Sequence, residues 1–591
     1  MRIDLDIPPG IISDDTSFAS APRWRDGSNV RFRLGRPQII GGWELLVSTA
    51  LTGVCRNIFP WTDNSSIINI GFGTHSALQV WQGGALYTIT PTLALPAITL
   101  PSATPIATSN GTPTIVVTWN GHPLIVGDSV VISGASPVAT VTINGTWTLT
   151  AVTTNTFTFT AGSNASSTTT GGGSAVVVTP QRAFSAGSID GTGGAGYGTG
   201  AYSTGTYSSP STADYFPRTW SMAAWGANLM ACARNGPIFG WTNATGTPAA
   251  PIANSPPQVT AMLVAPQQRQ LFAFGCNQES SGLFNALCIR HSSVGTNTEW
   301  TTTLTSTARE YILAGGGRIV SARMIGNYIA VWTDIGLHLG TYVGSITQPW
   351  RFDRVGEHCG LIGPNAAIVV GQTAFWLGPD LQFYSYSLGG AVSGVECPIR
   401  EDLVQYLAAS QSDKITACSI SEFSEIRFDY PDSRDGYENS RYMSLCVAGG
   451  DVGAWHKGIM ARTAMVDAGP TVSPVGVTYD GAVYWHERGH SADGAAMASF
   501  IESSDQYFSE DFTALVRGCW PDVQNQTGAV SLTLTVRYKP QSDEVVYGPY
   551  AMAASEDRLD FRAKGRLFKV KFSANSGPSD WRLGKPIFDV V

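Results

Sequence analysis

Short apolar runs, broken by glycine and polar turn residues, repeat along most of the chain. Ile325-Gly-Asn-Tyr-Ile-Ala-Val-Trp332 is followed by the break Thr333-Asp-Ile-Gly336 and the run Leu337-His-Leu-Gly340. The same phrase recurs as Ala366-Ala-Ile-Val-Val370, Thr373-Ala-Phe-Trp-Leu377 and Leu381-Gln-Phe-Tyr-Ser-Tyr386, separated by Gly371-Gln372 and Gly378-Pro-Asp380. β-Branched and aromatic runs of ~4–8 residues between such breaks predict strand–turn–strand units. Further copies begin at Ile67, Trp225, Thr416 and Pro474, and the Glu425–Tyr430 run looks like a strand with charged edges. Self-similar hairpins about 40–60 residues apart predict the blades of a β-propeller, about six of them. The fold class expected is therefore all-β.

Composition agrees with tight turns and large cores. Glycine supplies 65 of 591 residues, hydrophobic residues 43% and charged residues only 14%, against ~25% in an average domain. Subunit interfaces are depleted of charge at their centres, so so few charges point to assembly. A net charge of −8 argues against a sequence-reading nucleic-acid binder, though not against a wall past which DNA slides. The nine cysteines lack any Cys-x-x-Cys pair, and several sit in apolar runs, so buried free thiols and a reducing cytosol are expected. No apolar run approaches the ~20 residues of a membrane span.

The ends and middle of the chain carry a second kind of signal. The phrases Ile7-Pro-Pro-Gly10, Arg23-Trp24, Asp26-Gly27, Val30-Arg-Phe-Arg33, Gly35-Arg-Pro37 and Gly41-Gly-Trp43 open the chain. Gly196-Tyr-Gly-Thr-Gly-Ala-Tyr-Ser-Thr-Gly-Thr-Tyr207, Arg218-Thr-Trp-Ser221 and Arg234-Asn-Gly-Pro237 lie near its middle, and Trp581-Arg-Leu-Gly-Lys-Pro586 near its end. Together they resemble the tail nozzle, or tail-hub, proteins of short-tailed bacteriophages, also called packaged-DNA stabilisation or head-completion proteins. The resemblance implies a propeller body and a virion protein at the tail tip, made in the host cytoplasm and assembled as a homo-oligomer, a ring of six. The ring would continue the portal channel, retain packaged DNA and conduct double-stranded DNA at infection. Its implied partners are tail adaptor or portal-proximal proteins and tail fibres or spikes. It implies no enzymatic site and no cofactor.

Four regions are expected: 1–97, N-terminal strands and the first blade; 98–180, an inserted module; 181–502, the main blades; and 503–591, a C-terminal β-layer or a ring-closing blade. The inserted region turns to Thr, Val, Ser and Asn, with alternating runs such as Thr146-Trp-Thr-Leu-Thr150 and Thr156-Phe-Thr-Phe-Thr160. It predicts a compact β-sandwich, similar to small immunoglobulin-like modules. Helix is expected only around Arg400–Ala409.

Five motifs touch on chemistry. His486-Glu-Arg-Gly-His490 has zincin spacing, but it follows a strand and contains glycine, so a polar loop is expected rather than zinc. Gly191-Thr-Gly-Gly-Ala-Gly196 lacks the strand and helix that a dinucleotide fingerprint needs. Asp14, Asp15, Glu425, Asp429, Asp432 and Asp435 show no ordered Ca²⁺ ligand series. Tyr197, Tyr202 and Tyr207, five residues apart in a glycine-rich stretch, are candidate assembly contacts. Arg31, Arg33 and Arg36 form a basic edge, for DNA phosphates or, more readily, a subunit salt bridge. The alternative function is a glycan-active or glycan-binding propeller, which needs convergent carboxylates or aromatics in a mouth.

Overall fold

The repeating hairpins fold into seven four-stranded antiparallel sheets. The computed structural model describes residues 1–191, 216–508, 513–575 and 577–591. The first sheet is Cys55–Thr62, Ile68–Thr74, Leu78–Gln82 and Ala85–Thr88; the second starts at Trp220–Trp225, the third at Val259–Ala265 and the fourth at Ile319–Ile325. The fifth starts at Ala367–Val370, the sixth at Thr416–Ile420 and the seventh at Ala464–Val466. Glycine makes several of the turns: Gly226, Gly326 and Gly371 each open a two-residue link with φ of +63°, +57° and +61°. A side chain there would be strained by backbone conformation alone.

The first strands neighbour one another in a closed cycle, from the first sheet through the seventh and back to the first. Antiparallel order brings the fourth strand of each sheet back to the end where its first strand began. Connections as short as Ile312 to Ile319 and Ile459 to Ala464 then start the next sheet at that same end. All the first strands therefore run in one direction. The cycle holds seven sheets where the sequence led us to expect about six.

The seventh sheet takes its outer strand from the other end of the chain. Trp43–Val47 pairs antiparallel with Val483–His486, setting Leu45 against Tyr484 and Trp43 against His486. Of the two roles expected for residues 503–591, a C-terminal β-layer or a ring-closing blade, this pairing removes the second. It also moves the N-terminal strands away from the first sheet, with which the expected 1–97 region grouped them. Arg2–Asp4 pairs with Ile587–Val590, Trp24–Ser28 with Ser499–Ser503, and Arg36–Ile39 with Asp580–Leu583. Alternation identified these segments as strands but carried no information on partners hundreds of residues away.

The three sheets so formed, with strands such as Val530–Arg537 burying every second residue, share one core with the fourth to sixth sheets of the cycle. Trp332, Trp376, Trp455, Trp581 and Phe588 lie in it, each at most 1% exposed. The inserted region has its own core around Val117, Phe157, Phe159 and Val178. Its strands run from Thr92–Ala94 to Val177–Ala183, so the module begins a few residues before 98. The helix is Arg400–Tyr406, shorter than expected because Leu407 already has extended backbone. All nine cysteines are buried free thiols.

Because the module's core is its own, replacing residues 92–183 with a short Gly/Ser linker should leave the seven-sheet cycle folded. The cost expected is at most about 1 kcal/mol, since loop-closure entropy grows slowly with length. Urea unfolding followed by tryptophan fluorescence checks this; loss of the cooperative transition of the remainder would show that the module is integral.

Candidate functional site

Two charged centres stand out, one holding the chain ends to the cycle and one across its axis. The first is built on Glu425–Pro431, the second strand of the sixth sheet, in which all seven residues are buried. The charged edges inferred from sequence are thus interior. Glu425, Arg427 and Asp429 share one face of the strand, and that face is covered by Arg31 and by the seventh sheet. Arg31 is 1% exposed. Its guanidinium donates to both carboxylate oxygens of Glu487 at 2.8 and 2.6 Å, and its Nε lies 3.1 Å from Glu425. Phe423 stacks on it at 3.7 Å. Glu487 also accepts the Gly41 N–H at 2.9 Å, which fixes the chain just before the Trp43–Val47 strand. Arg427 donates to Asp429 and stacks on Tyr442, while Arg462 donates to His486 Nε2 at 2.8 Å.

Three arginines and three carboxylates balance here in a buried site. Burial alone would raise the Glu425 carboxyl; Arg31, His456 and Arg427 more than offset this and hold it low. Asp429 is raised by burial despite Arg427. Burial, then Arg462 and Arg427, keep His486 neutral, with its pKa well below the usual imidazole range. Burial pulls Arg462 down to about 10.

The zincin-like segment is dismantled by this arrangement. His486 is buried against Arg462, Glu487 holds Arg31, and His490 is half-exposed with Nδ1 3.8 Å from Asp580. Asp429, Asp432 and Asp435 are each held by arginine: Asp432 by Arg434 and Arg441, Asp435 by Arg441. Among the described residues, no group of three or more His, Cys, Asp or Glu side chains is placed to hold a metal. The basic edge is likewise not one surface. Arg31 is buried in an ion pair within its own chain, which corrects its reading as a DNA or subunit contact. Arg36 pairs with Asp6 at 2.9 Å, and only Arg33 projects to solvent, 5.7 Å from the Phe423 ring. Tyr197, Tyr202 and Tyr207, and all of Gly191–Gly196 except Gly191, lie outside the described residues.

The second centre crosses the axis at the end where the first strands begin. Arg56, in the first sheet, donates to both oxygens of Glu438 at 2.5 and 2.7 Å and to the Ile189 carbonyl. Buried Lys414 reaches Glu438 and Asp190 at 2.7 and 2.6 Å. Asn365, just before the fifth sheet, donates to the Arg56 carbonyl at 3.0 Å and accepts from Arg323 of the fourth. Arg234 pairs with Asp413, and the Phe216 ring lies against both Arg234 and Arg318. Sequence reading missed this centre because its members stand singly at strand ends, and nothing local says that seven strand ends converge.

No family model matches the chain, and no curated protein matches it. Among solved structures, the computationally designed Ika8 protein is similar at 11% identity and a TM-score of 0.34, over 75% of this chain and 100% of that one. The AfRom2 CNH domain is similar at 9% identity and 0.28, over 49% and 92%. The exo-β-1,3-galactanase of Phanerochaete chrysosporium follows at 10% and 0.24, over 63% and 95%. Likenesses this distant carry no argument about function.

Two outcomes follow from the first centre. Arg31→Met leaves Glu425 and Glu487 buried without their partner and should cost about 3–5 kcal/mol, with part regained on adding Glu425→Gln and Glu487→Gln. A urea midpoint unchanged in the single variant would show that the ion pair holds nothing together. Acid should act in the same direction. His486 is neutral when folded and takes a proton when unfolded, so its contribution is lost as pH falls from about 6.5. Glu425 is held low when folded, so its contribution is present above about 4.5 and is lost as pH falls toward its folded value. Melting temperature should therefore fall on acidification below about pH 6.5, and less steeply in Arg31→Met. Calorimetry across that range checks it.

Proposed function

We propose that the chain is a structural virion protein, the tail nozzle of a short-tailed phage. In this reading the seven-sheet cycle is a β-propeller, and residues 92–183 are an immunoglobulin-like module set into it. Several copies, six by resemblance, ring the continuation of the portal channel, retain packaged DNA and conduct it at infection. The observation that carries the reading is the crossed axis. A hydrogen bond of 3.0 Å joins Asn365 to Arg56, and ion pairs bridge the first and sixth sheets beside it. A duplex has no path through one copy, so a DNA conduit must lie between copies and each copy serves as a rigid wall block. A net charge of −8 suits a wall that repels phosphates rather than trapping them.

The phrases behind the resemblance support the same reading through their positions. Trp24, Arg31, Trp220 and Trp581 are each at most 3% exposed. Gly41 and Gly42 sit where a Cβ would meet Glu487 and Ser491 within 2.6 Å. They are joints of the scaffold, so what they share with the nozzle proteins is architecture. The glycan-active alternative draws less support. A glycoside hydrolase needs a free acid and a free base, whereas Glu438, Asp190 and Asp413 at the axis are all ion-paired.

Electron microscopy of intact particles with a gold-labelled antibody to the inserted module tests this. Label clustered at the tail tip is expected. Label on the capsid wall, or none on particles that contain the chain, would overturn it.

A further inference from the structure

The alternation of the third sheet is broken at one place, and the break brings two thiols together. Along its second strand, Gln270–Asn277, Leu271 and Ala273 face the core shared with the second sheet, while Phe272 and Phe274 face the core shared with the fourth. Strict period two would send Cys276 to the Phe274 side. Gly275 prevents this. It has φ of +57°, and a Cβ there would meet Thr260 Oγ1 at 2.7 Å. The register shifts at the same point: Phe274 lies opposite Ile289 but Cys276 opposite Asn285, so one residue faces three. This β-bulge turns Cys276 onto the Ala273 side, where Cys288 of the third strand, Phe284–His291, also lies.

The two sulfurs are 3.8 Å apart, and both side chains are fully buried. Cys276 Sγ also reaches the carbonyls of Ala273 and Cys288, at 3.6 and 3.8 Å. Met262, Leu271 and Trp300 belong to the same apolar core. Cys232, in that core too, is engaged with the carbonyls of Gly236 and Val259. Among the described residues, no third His, Cys, Asp or Glu joins the pair to make a metal site. The chemistry open to two touching thiols is oxidation. The sulfurs of a disulfide are ~2.0 Å apart, so the pair has to close by about 1.8 Å. The bulge helps, because its ladder is already interrupted and its strand already bent.

We propose that Cys276 and Cys288 are a modification site, thiols in the cytosol that close to a disulfide when the protein meets an oxidising exterior. The exterior rests on the virion reading above; the bond itself does not. The oxidant is a low-molecular-weight disulfide. One protein thiolate attacks it, forming a mixed disulfide and releasing one small thiolate. The second protein thiolate displaces the other. One S–S bond forms in the protein and one breaks in the oxidant, and the two protein protons end on the two small thiols. The hydrogen bond to Cys288, with burial, keeps Cys276 protonated in the closed core. Exchange therefore proceeds through opening of the hairpin end, where Leu283 is 70% exposed.

The test holds the purified full chain with oxidised glutathione, beside Cys276→Ala and Cys288→Ala, and reads thiol counts and peptide maps. Two of the nine thiols should disappear and a Cys276–Cys288 peptide should form. Each variant should keep its remaining thiols. A cross-link closing so short a loop should slow amide exchange in the hairpin by up to about 100-fold, reversed by reductant. Nine thiols surviving prolonged oxidation, or a bond from either residue to Cys232, would overturn the site. Particles and freshly lysed cells, both alkylated at once, carry the second arm. The bond should be present in released particles and absent from cytosolic protein. Particles with the chain at the tail tip and nine thiols sink this inference and leave the nozzle reading standing. A bond that forms in the purified chain, with no chain on particles, upholds the site and sinks the nozzle.

Discussion

One buried ion pair decides how this chain is tied. Arg31 enters from the N-terminal segment and meets Glu425 of the sixth sheet and Glu487 beyond the seventh. A guanidinium at 1% exposure is tolerable only with its partners in place, because an uncompensated buried charge costs several kcal/mol. Through Glu487 the same pair sets Gly41, and through Gly41 the strand that completes the seventh sheet. The strand that completes the seventh sheet is thus tied to the sixth sheet through one electrostatic contact.

That dependence explains the chain's unusual economy of charge. With 14% charged residues, many of its ions are committed to internal joints rather than to solvent. Arg31, Arg56, Arg427, Arg462 and Lys414 are all at most 4% exposed. Arg31 and Arg56 join one sheet to another and Lys414 reaches Asp190, while Arg427 and Arg462 pair within their own sheets. The outer surface is left rich in threonine, serine and glycine. A rigid, internally ion-paired block with charge-poor edges is suited to packing against its own kind.

The axis and the chain ends have complementary roles. At one end, Arg56, Glu438, Asn365 and Lys414 cross the axis and stiffen the cycle. Around its fourth to sixth sheets, the shared core with Trp581 and Phe588 adds apolar area that fixes the C-terminal sheets against the cycle. The inserted module, with a separate core, is outside this economy. Its removal and the removal of Arg31 therefore probe different things, a decoration and a joint.

Local chemistry was legible in the sequence wherever it acts over a few residues. Alternation and glycine turns identified hairpins such as Ile319–Thr333, the uncharged Thr/Val stretch marked a module with its own strands, and the glycine in His486–His490 argued against a helix-borne zinc site. The Glu425–Asp429 run was misjudged because period-two charge looks the same whether its face meets water or a neighbouring sheet. Arg31 was misjudged for the same reason: pleating puts Arg31 and Arg33 on one face with Arg36 opposite Arg33, yet Glu425 and Glu487 cover that face only at Arg31. What only the tertiary structure decided was pairing at a distance. That Trp43–Val47 closes a sheet begun at Ala464 and that seven strand ends meet at one axis both depend on the closed cycle. Hydrophobic and polar periodicity encodes which side of a strand is apolar; it does not encode which of many similar strands will cover it, because that choice is made by packing and ion pairing among elements hundreds of residues apart.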